Sequence, residues 1–460
     1  MIPQIKAFLQ NIPMPVGNIL AKIPYRARPG MGKAYRRHQR QIQKYESWDL
    51  SQRKQFILEK MRRVVIHSVE NVPFYRNLYA SKGFNPDQLR GFDDIARIPI
   101  ISKGLLREVA LEERSTCRFG RYIANTGGSS GATLSLYLLP SQIPAEWAHM
   151  HTIWRRLGYR ERCLKIMFCG RVLGSRSVVY DGLRHQYSAN IYQDLSIVID
   201  ELLPKARRHR IEYLHGYPSA LCEFAHHCKQ YSPELTDILR ASLRGAFLCS
   251  EFPNPVWRSE IEKVFNIPTV SWYGHTERAI LAWEKTEQFV YHPFQTYGYC
   301  EITDTPDSGS SHLVGTSYLN LASPLIRYDT EDDVEPVSEE AGLLESFRVR
   351  HGRAGEFVCD ARGTRITLTG LIFGRHHKVF NVARFVQVQQ DKPGEMTVWV
   401  VLEKSFSEPK DWTSLFDATG LDMRVTFRTI DQPIRTPSGK VVLKVRKEWT
   451  DAIAATANET

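Results

Sequence analysis

Thr126, Gly127, Gly128, Ser129, Ser130 and Gly131 follow Asn125 and pack three glycines and three hydroxyls into six positions. Such a loop can aim backbone N–H groups and hydroxyls at an anion, because glycine permits positive φ and close approach of the main chain. No Gly-Lys-Ser/Thr closes it, so it is not a Walker loop. Gly127 to Gly131 does fit G-x-S-x-G, which would make Ser129 the nucleophile of a serine hydrolase. That elbow must run from a strand into a helix, whereas Tyr122–Ala124 before the loop and the alternating Leu134, Leu136 and Leu138 after it predict two strands. A hairpin tip of this composition suits phosphate gripping. Taken alone, an ordinary surface turn explains it equally well.

Other chemical signals are spread along the chain. Ser271, Trp272, Tyr273, Gly274, His275, Thr276 and Glu277 follow an apolar strand pattern, and Arg327-Tyr328-Asp329-Thr330-Glu331-Asp332-Asp333 supplies a cluster of acids. Carboxylates in such places suit a hard cation that bridges phosphate oxygens. Lys440 stands after a Pro437-Ser438-Gly439 turn, where its residue type alone indicates a solvated lysine. Cys222, His226, His227 and Cys228 lie on a predicted helix, but cysteines six apart cannot share a face with both histidines. The eight cysteines show neither zinc-ribbon spacing nor disulfide-scaffold density, so reduced, buried thiols are expected.

The elements that must position these groups follow from composition and periodicity. With 460 residues, 42% apolar and 24% charged, the chain has material for two or three domains, and disordered and fibrous classes are excluded. No apolar run reaches membrane-spanning length, and no signal-peptide pattern opens the chain, so a cytoplasmic protein is expected. The net charge of +11 is concentrated: residues 1–45 hold nine of the 61 Lys and Arg and none of the 50 Asp and Glu. The rest is nearly neutral, and no nucleic-acid partner is expected. The basic arm, with Phe8, Leu9, Ile19, Leu20 and Ile23, either lies on an anionic membrane surface or wraps over the main domain. Its prolines are expected to break any long amphipathic helix.

Helical patterns near 141–157, 194–209, 218–230 and 255–264 alternate with apolar strands at Lys165–Cys169, Ile211–His215, Ala246–Cys249 and Thr269–Trp272. This predicts an α/β body. From 288 to 335 strand and turn dominate, with Gly298 and Gly315 as punctuation. After 355 a small α+β unit is expected, with strands near 357–360, 364–369, 395–402 and 440–446.

In this order and at these separations the motifs resemble the adenylate-forming acyl ligases, specifically the phenylacetate–CoA ligase and CapK-like polysaccharide-biosynthesis branch. The resemblance extends to Asn71-Val72-Pro73-Phe74-Tyr75, Ile98-Pro99-Ile100-Ile101-Ser102-Lys103, His215-Gly216-Tyr217-Pro218-Ser219 and Tyr297-Gly298-Tyr299-Cys300-Glu301, covering roughly residues 60 to 447. It implies an α/β fold with mixed sheets flanked by helices in a large domain (46–354), a basic arm (1–45) and a small mobile α+β lid (355–460). It also implies ATP and Mg²⁺, a carboxylic acid substrate, and an amine or thiol acceptor, CoA included.

By the same resemblance Thr126 to Gly131 grip the β- and γ-phosphates, and Trp272 and Tyr273 form an aromatic wall for adenine. Thr276 touches the α-phosphate, Glu277 helps hold Mg²⁺, Asp332 accepts the ribose hydroxyls with Asp333 as its rival, and Arg353 adds a positive contact. Ser250, Glu251 and Gly274 belong with the nucleotide site, and Tyr217, Pro218 and Ser219 line the acid pocket. Lys440 is the mobile cation. The chain departs from the family pattern at Ala132-Thr133 after the loop, at Glu331 where a glycine is usual, and at Gly355 where a hinge carboxylate is usual. The hinge departure favours a non-CoA acceptor.

Overall fold

The apolar runs predicted as strands pair into one large sheet. The computed structural model describes residues 11–28, 31–117, 120–125, 134–169, 173, 175–191, 193–304, 311–351, 357–363, 365–372, 377–402, 406–418, 421–436 and 441–450. Two strands form a separate hairpin, β1 (Tyr122–Asn125) and β2 (Ser135–Leu138), antiparallel with Asn125 opposite Ser135. The glycine-rich loop therefore joins strand to strand, which removes the elbow geometry that a Ser129 nucleophile requires. The loop itself, with Thr126 to Gly131, lies outside the described residues. Its base is anchored: Ser323 Oγ accepts from Tyr137 N–H at 2.9 Å, and Asn320 Nδ2 donates to Tyr137 O at 3.0 Å.

The large sheet contains β3 (Leu164–Phe168), β4 (Val178–Asp181), β5 (Gln186–Ala189), β6 (Ile211–Gly216), β7 (Gly245–Leu248), β8 (Thr269–Gly274), β9 (Leu281–Glu284), β10 (Tyr291–Pro293), β11 (Gly298–Asp304), β12 (Ser311–Ser317), β13 (Tyr328–Glu340) and β14 (Leu343–His351). Their order is β11-β12-β13-β14-β10-β9-β8-β7-β6-β3-β5-β4. The stretch β5-β3-β6-β7-β8 is parallel, and β8 to β9 begins the antiparallel part. Helices Leu195–Arg208, Pro218–Tyr231, Pro233–Ser242 and Pro255–Phe265 supply the crossovers. Proline opens three of them, where its missing N–H costs nothing. Asp194 caps the first turn of the fourth through Ser196 N–H, and Asn254 caps that of Pro255–Phe265 through Val256 N–H. The core they enclose is lined by Ile166, Phe168, Leu202, Leu214, Phe224, Leu248, Ile261 and Phe265.

Gly315 is not turn punctuation, since it stands inside β12, whereas Gly298 opens β11 directly after a turn. A Cβ on Gly298 would lie 2.1 Å from Ala279 O, and one on Gly315 would lie 2.4 Å from Ile280 Cγ1. Their missing side chains let the segment after Glu277 sit directly on the sheet.

The basic arm is more helical than its prolines suggest. After the last of them, Gly32–Glu46 forms a 15-residue helix that buries Tyr35, Ile42 and Tyr45. Tyr25 and Tyr35 join a core with Trp154, Tyr159, Tyr213 and Phe247. Ile19 and Ile23 remain exposed beside exposed Lys22 and Arg26. Among the described residues no helix is long and apolar enough to cross a membrane.

The chain divides into two compact units, Met1–Arg348 and Val349–Thr460. The second contains β15 (Phe357–Cys359) paired with β16 (Arg365–Thr367), and a sheet of β17 (Ala383–Gln389), β18 (Glu395–Leu402), β19 (Arg424–Thr429) and β20 (Lys444–Val445) in the order β19-β18-β17-β20. Val386, Val388, Met396, Val398, Val400 and Phe416 form its core. The strand expected over 440–446 shortens to Lys444–Val445, which pairs parallel to β17. Arg435 and Val441 bridge each other antiparallel, flanking the segment that holds Lys440.

Candidate active site

Ligands of open α/β sheets bind where parallel strands end, and several of the expected residues stand at that edge. Trp272 and Tyr273 occupy the end of β8, paired with Trp283 and Ala282 of β9. Neighbouring residues of a strand point to opposite faces, and the two rings obey that rule. Tyr273 lies 5.8 Å from Phe347 and 6.1 Å from His275, centroid to centroid, while Trp272 lies 5.7 Å from His215 and 6.3 Å from Trp154. The single aromatic wall expected from the sequence is therefore divided between two surfaces, because a period of two cannot place consecutive rings side by side.

The Tyr273 hydroxyl donates to Asp332 Oδ2 at 2.5 Å across 59 residues of sequence. Burial first, and the adjacent Asp332 carboxylate second, push its pKa well above the ordinary tyrosine range, so the hydroxyl stays a donor. Asp332 sits on β13 beside Glu331, whose φ is +61°. Glu331 thus adopts the left-handed backbone for which a glycine is suited, at a cost of about 1–2 kcal/mol for a residue with a Cβ. Asp329 Oδ1 accepts from Glu331 N–H at 2.7 Å and holds the kink. Glu331→Gly should therefore stabilise the protein by roughly 0.5–1 kcal/mol, the relieved strain outweighing the added unfolded-state entropy. A higher urea midpoint at unchanged slope checks this, and an unchanged or lower midpoint refutes it.

Glu277 is buried, whereas Thr276 and Gly274 are exposed. His275 Nε2 accepts from Ile280 N–H at 3.2 Å, which leaves Nδ1 to carry the proton and donate to Glu277 Oε2 at 3.1 Å. Tyr328 donates to Glu277 Oε1 at 3.4 Å. This fixed, oxygen-only donor fits Mg²⁺, which is held by one or two carboxylates together with phosphates. His275 positions Glu277 from two residues away. The motif contained that signal, but only the folded turn shows the ring bent back onto the carboxylate.

The Arg327 motif is structural at its first residue. Its guanidinium donates to Glu301 Oε1 at 2.7 Å and Oε2 at 3.1 Å, and to Ala96 O and Ile98 O, both at 2.6 Å. Ile101 N–H donates to Arg327 O at 3.0 Å, so the Ile98–Lys103 segment is laid along the start of β13.

On the other side of β8, Ser219 is buried at the start of the Pro218–Tyr231 helix. Its N–H and Oγ donate to Glu251 Oε2 and Oε1 at 3.1 and 3.0 Å. Glu251 thereby tethers the loop after β7 to a helix N-terminus, where the helix dipole favours an anion. Ser250 is exposed with φ +65°, and Tyr217 and Pro218 are buried beside Ser219. Arg353 and Lys440 lie outside the described residues.

Beneath the site is an ion pair that sequence reading missed. Arg258 and Glu284, at 1% and 0% exposure, join through two hydrogen bonds of 2.6 and 2.9 Å. Nothing in their spacing marks them, since they come from different elements 26 residues apart.

No protein-family model matches the chain. A stretch of 51 residues is 43% identical to a phenylacetate–coenzyme A ligase of Aromatoleum evansii, covering 11% of this chain and 12% of that ligase. Another, of 50 residues, is 42% identical to a phenylacetate–coenzyme A ligase of Thermus thermophilus and covers 11% of each. The alignments thus span only a small part of these relatives' length. Among solved structures, a 2-hydroxyisobutyryl-CoA ligase in the postadenylation state superposes with a TM-score of 0.64 at 16% identity, covering 90% of this chain and 94% of that one. An acyl acid amido synthetase, GH3.15, superposes with a TM-score of 0.54 at 12% identity, covering 87% and 93%. The mixed twelve-stranded sheet, its flanking helices and the small α+β unit thus share their fold with these two enzymes.

Proposed function

We propose that this chain activates a carboxylic acid with ATP, forming an acyl-AMP and pyrophosphate, and then passes the acyl group to an amine or thiol. The observation that carries this reading is the meeting of β8 and β13, where Tyr273 and Asp332 form a polar pair beside the buried, histidine-braced Glu277. Tyr273 supplies a ring face for adenine, and Asp332, the acid next to the kink, accepts from the ribose hydroxyls in preference to Asp333. Thr126 to Gly131 reach the outer phosphates from the anchored β1–β2 hairpin, Thr276 meets the α-phosphate, and Arg353 and Lys440 supply positive charge.

Glu277 would hold Mg²⁺, which neutralises phosphate charge when bound. The substrate carboxylate needs no base, since it is ionised at neutral pH. Trp272, Tyr217 and Ser219, on the opposite side of the strand end, fit the acid pocket. The acceptor is favoured as an amine, on an amino acid or on a sugar of a surface polysaccharide. Coenzyme A is the second reading, and it is supported by the short likeness to phenylacetate–CoA ligases.

Pyrophosphate–ATP exchange over a panel of hydroxy, amino and aromatic acids tests the first half-reaction. Exchange dependent on one acid is expected, and a folded, ATP-binding protein that exchanges with none refutes the reading. AMP release on adding CoA or candidate amines then separates the acceptors.

A further inference from the structure

Cys169, His215 and Cys249 lie 46 and 34 residues apart in sequence and at the ends of three adjacent parallel strands. In the strand register Met167 faces His215, and His215 faces Phe247. Cys169 and Cys249 each stand two residues beyond those partners, so all three side chains emerge on the same face of the sheet. The strand ends are held in place by Tyr217 N–H to Phe168 O and Cys249 N–H to Gly216 O, both 3.0 Å.

The two sulfurs are 3.9 Å apart, and the three potential donor atoms lie within 4.8 Å of one another. Two thiolates at zinc-bond length and tetrahedral angle would be about 3.8 Å apart. A disulfide needs about 2.0 Å. The Nδ1 atom of His215 is buried and has no hydrogen-bond partner among the described residues, an uncommon state for a buried polar atom.

We propose that Cys169, His215 and Cys249 form a binding site for one zinc-class divalent ion, with a fourth position left to water or an exogenous ligand. Two sulfurs and an imidazole are soft donors that select zinc or cobalt and disfavour magnesium. Three protein ligands with an open position are the arrangement of reactive rather than purely structural zinc. A thiolate is the form that binds metal. The site adjoins Trp272 through His215, yet the assignment does not depend on the ligase reading, because its test measures metal and not turnover.

The full-length protein, reduced, stripped with a chelator and titrated with Zn(II) or Co(II), should take up one ion per chain. Co(II) should give the sulfur-to-cobalt charge-transfer and intense visible bands of a tetrahedral thiolate site. Cys249→Ser or His215→Ala should abolish those bands and weaken binding by roughly 100-fold or more. Alkylation of the unmutated protein gives a second readout that requires no variant: Zn(II) should protect Cys169 and Cys249 from iodoacetamide while exposed Cys117 reacts in both conditions. Absence of stoichiometric uptake, bands that survive in Cys249→Ser, equal alkylation with and without zinc, or a Cys169–Cys249 disulfide persisting under reductant would each overturn the proposal.

Discussion

Lys440→Ala is expected to lower pyrophosphate–ATP exchange roughly 100- to 1,000-fold while ATP affinity changes only slightly, because a positioned donor acts most where charge develops. The proposed reaction joins two anions. The acid brings a full negative charge to a phosphorus already surrounded by negative oxygens, and the barrier lies in bringing them into line. A lysine that meets the reacting phosphate only as charge develops stabilises the transition state and not the bound ground state, so in the proposed role its loss falls on the rate. Glu277→Gln supplies the contrast, since it weakens a metal-bridged contact that ATP makes on binding and should raise the ATP requirement as well as slow the step. Equal exchange rates in Lys440→Ala and the parent protein would remove Lys440 from the chemistry and leave it a turn lysine after Pro437-Ser438-Gly439.

The parallel half of the sheet was legible because its strands are buried on both faces and read as short apolar runs between helical patterns. Ile211–Gly216, expected to end at His215, differs by a single residue. The helix Gly32–Glu46 was hidden because its buried face is made by Tyr35 and Tyr45, amphipathic residues among many charges. Gly315 was read as a turn residue because a glycine in a strand and one in a turn look alike. Only the approach of Ala279 and Ile280 separates the cases. In the site, the residue types were legible as motifs, and Glu331 was identified as a departure whose +61° φ the fold then explains. Alternation along β8 could have separated Trp272 from Tyr273 in advance. Long-range constellations such as Arg258–Glu284 and Cys169–His215–Cys249 were not readable, because they depend on which strand ends become neighbours.

Glu284→Leu should cost roughly 5 kcal/mol, the largest stability loss expected from a single substitution in this core. The reason is how much one carboxylate satisfies. Its oxygens accept from Arg258 at 2.6 and 2.9 Å, from Ser271 N–H at 2.8 Å and from Phe289 N–H at 2.7 Å. Leucine would leave the Ser271 and Phe289 amides without this acceptor and the buried guanidinium without its carboxylate partner, with Thr269 Oγ1 and Thr269 O still accepting from it at 2.7 and 3.1 Å. Glu284→Gln keeps one acceptor oxygen and should lose about 3 kcal/mol. Arg258→Met leaves the carboxylate with its two amide donors and should be the mildest of the single changes. The double variant Arg258→Met with Glu284→Leu removes the stranded charge and should be more stable than Glu284→Leu alone by roughly 2 kcal/mol. Urea unfolding of the four proteins measures this coupling, and simple additivity would show that the pair does not act as a unit. Since Ser271 directly precedes Trp272 and Tyr273, any Glu284 variant that still folds should also bind ATP more weakly: the ion pair that fastens the Pro255–Phe265 helix to β8 and β9 also sets where Tyr273 meets Asp332.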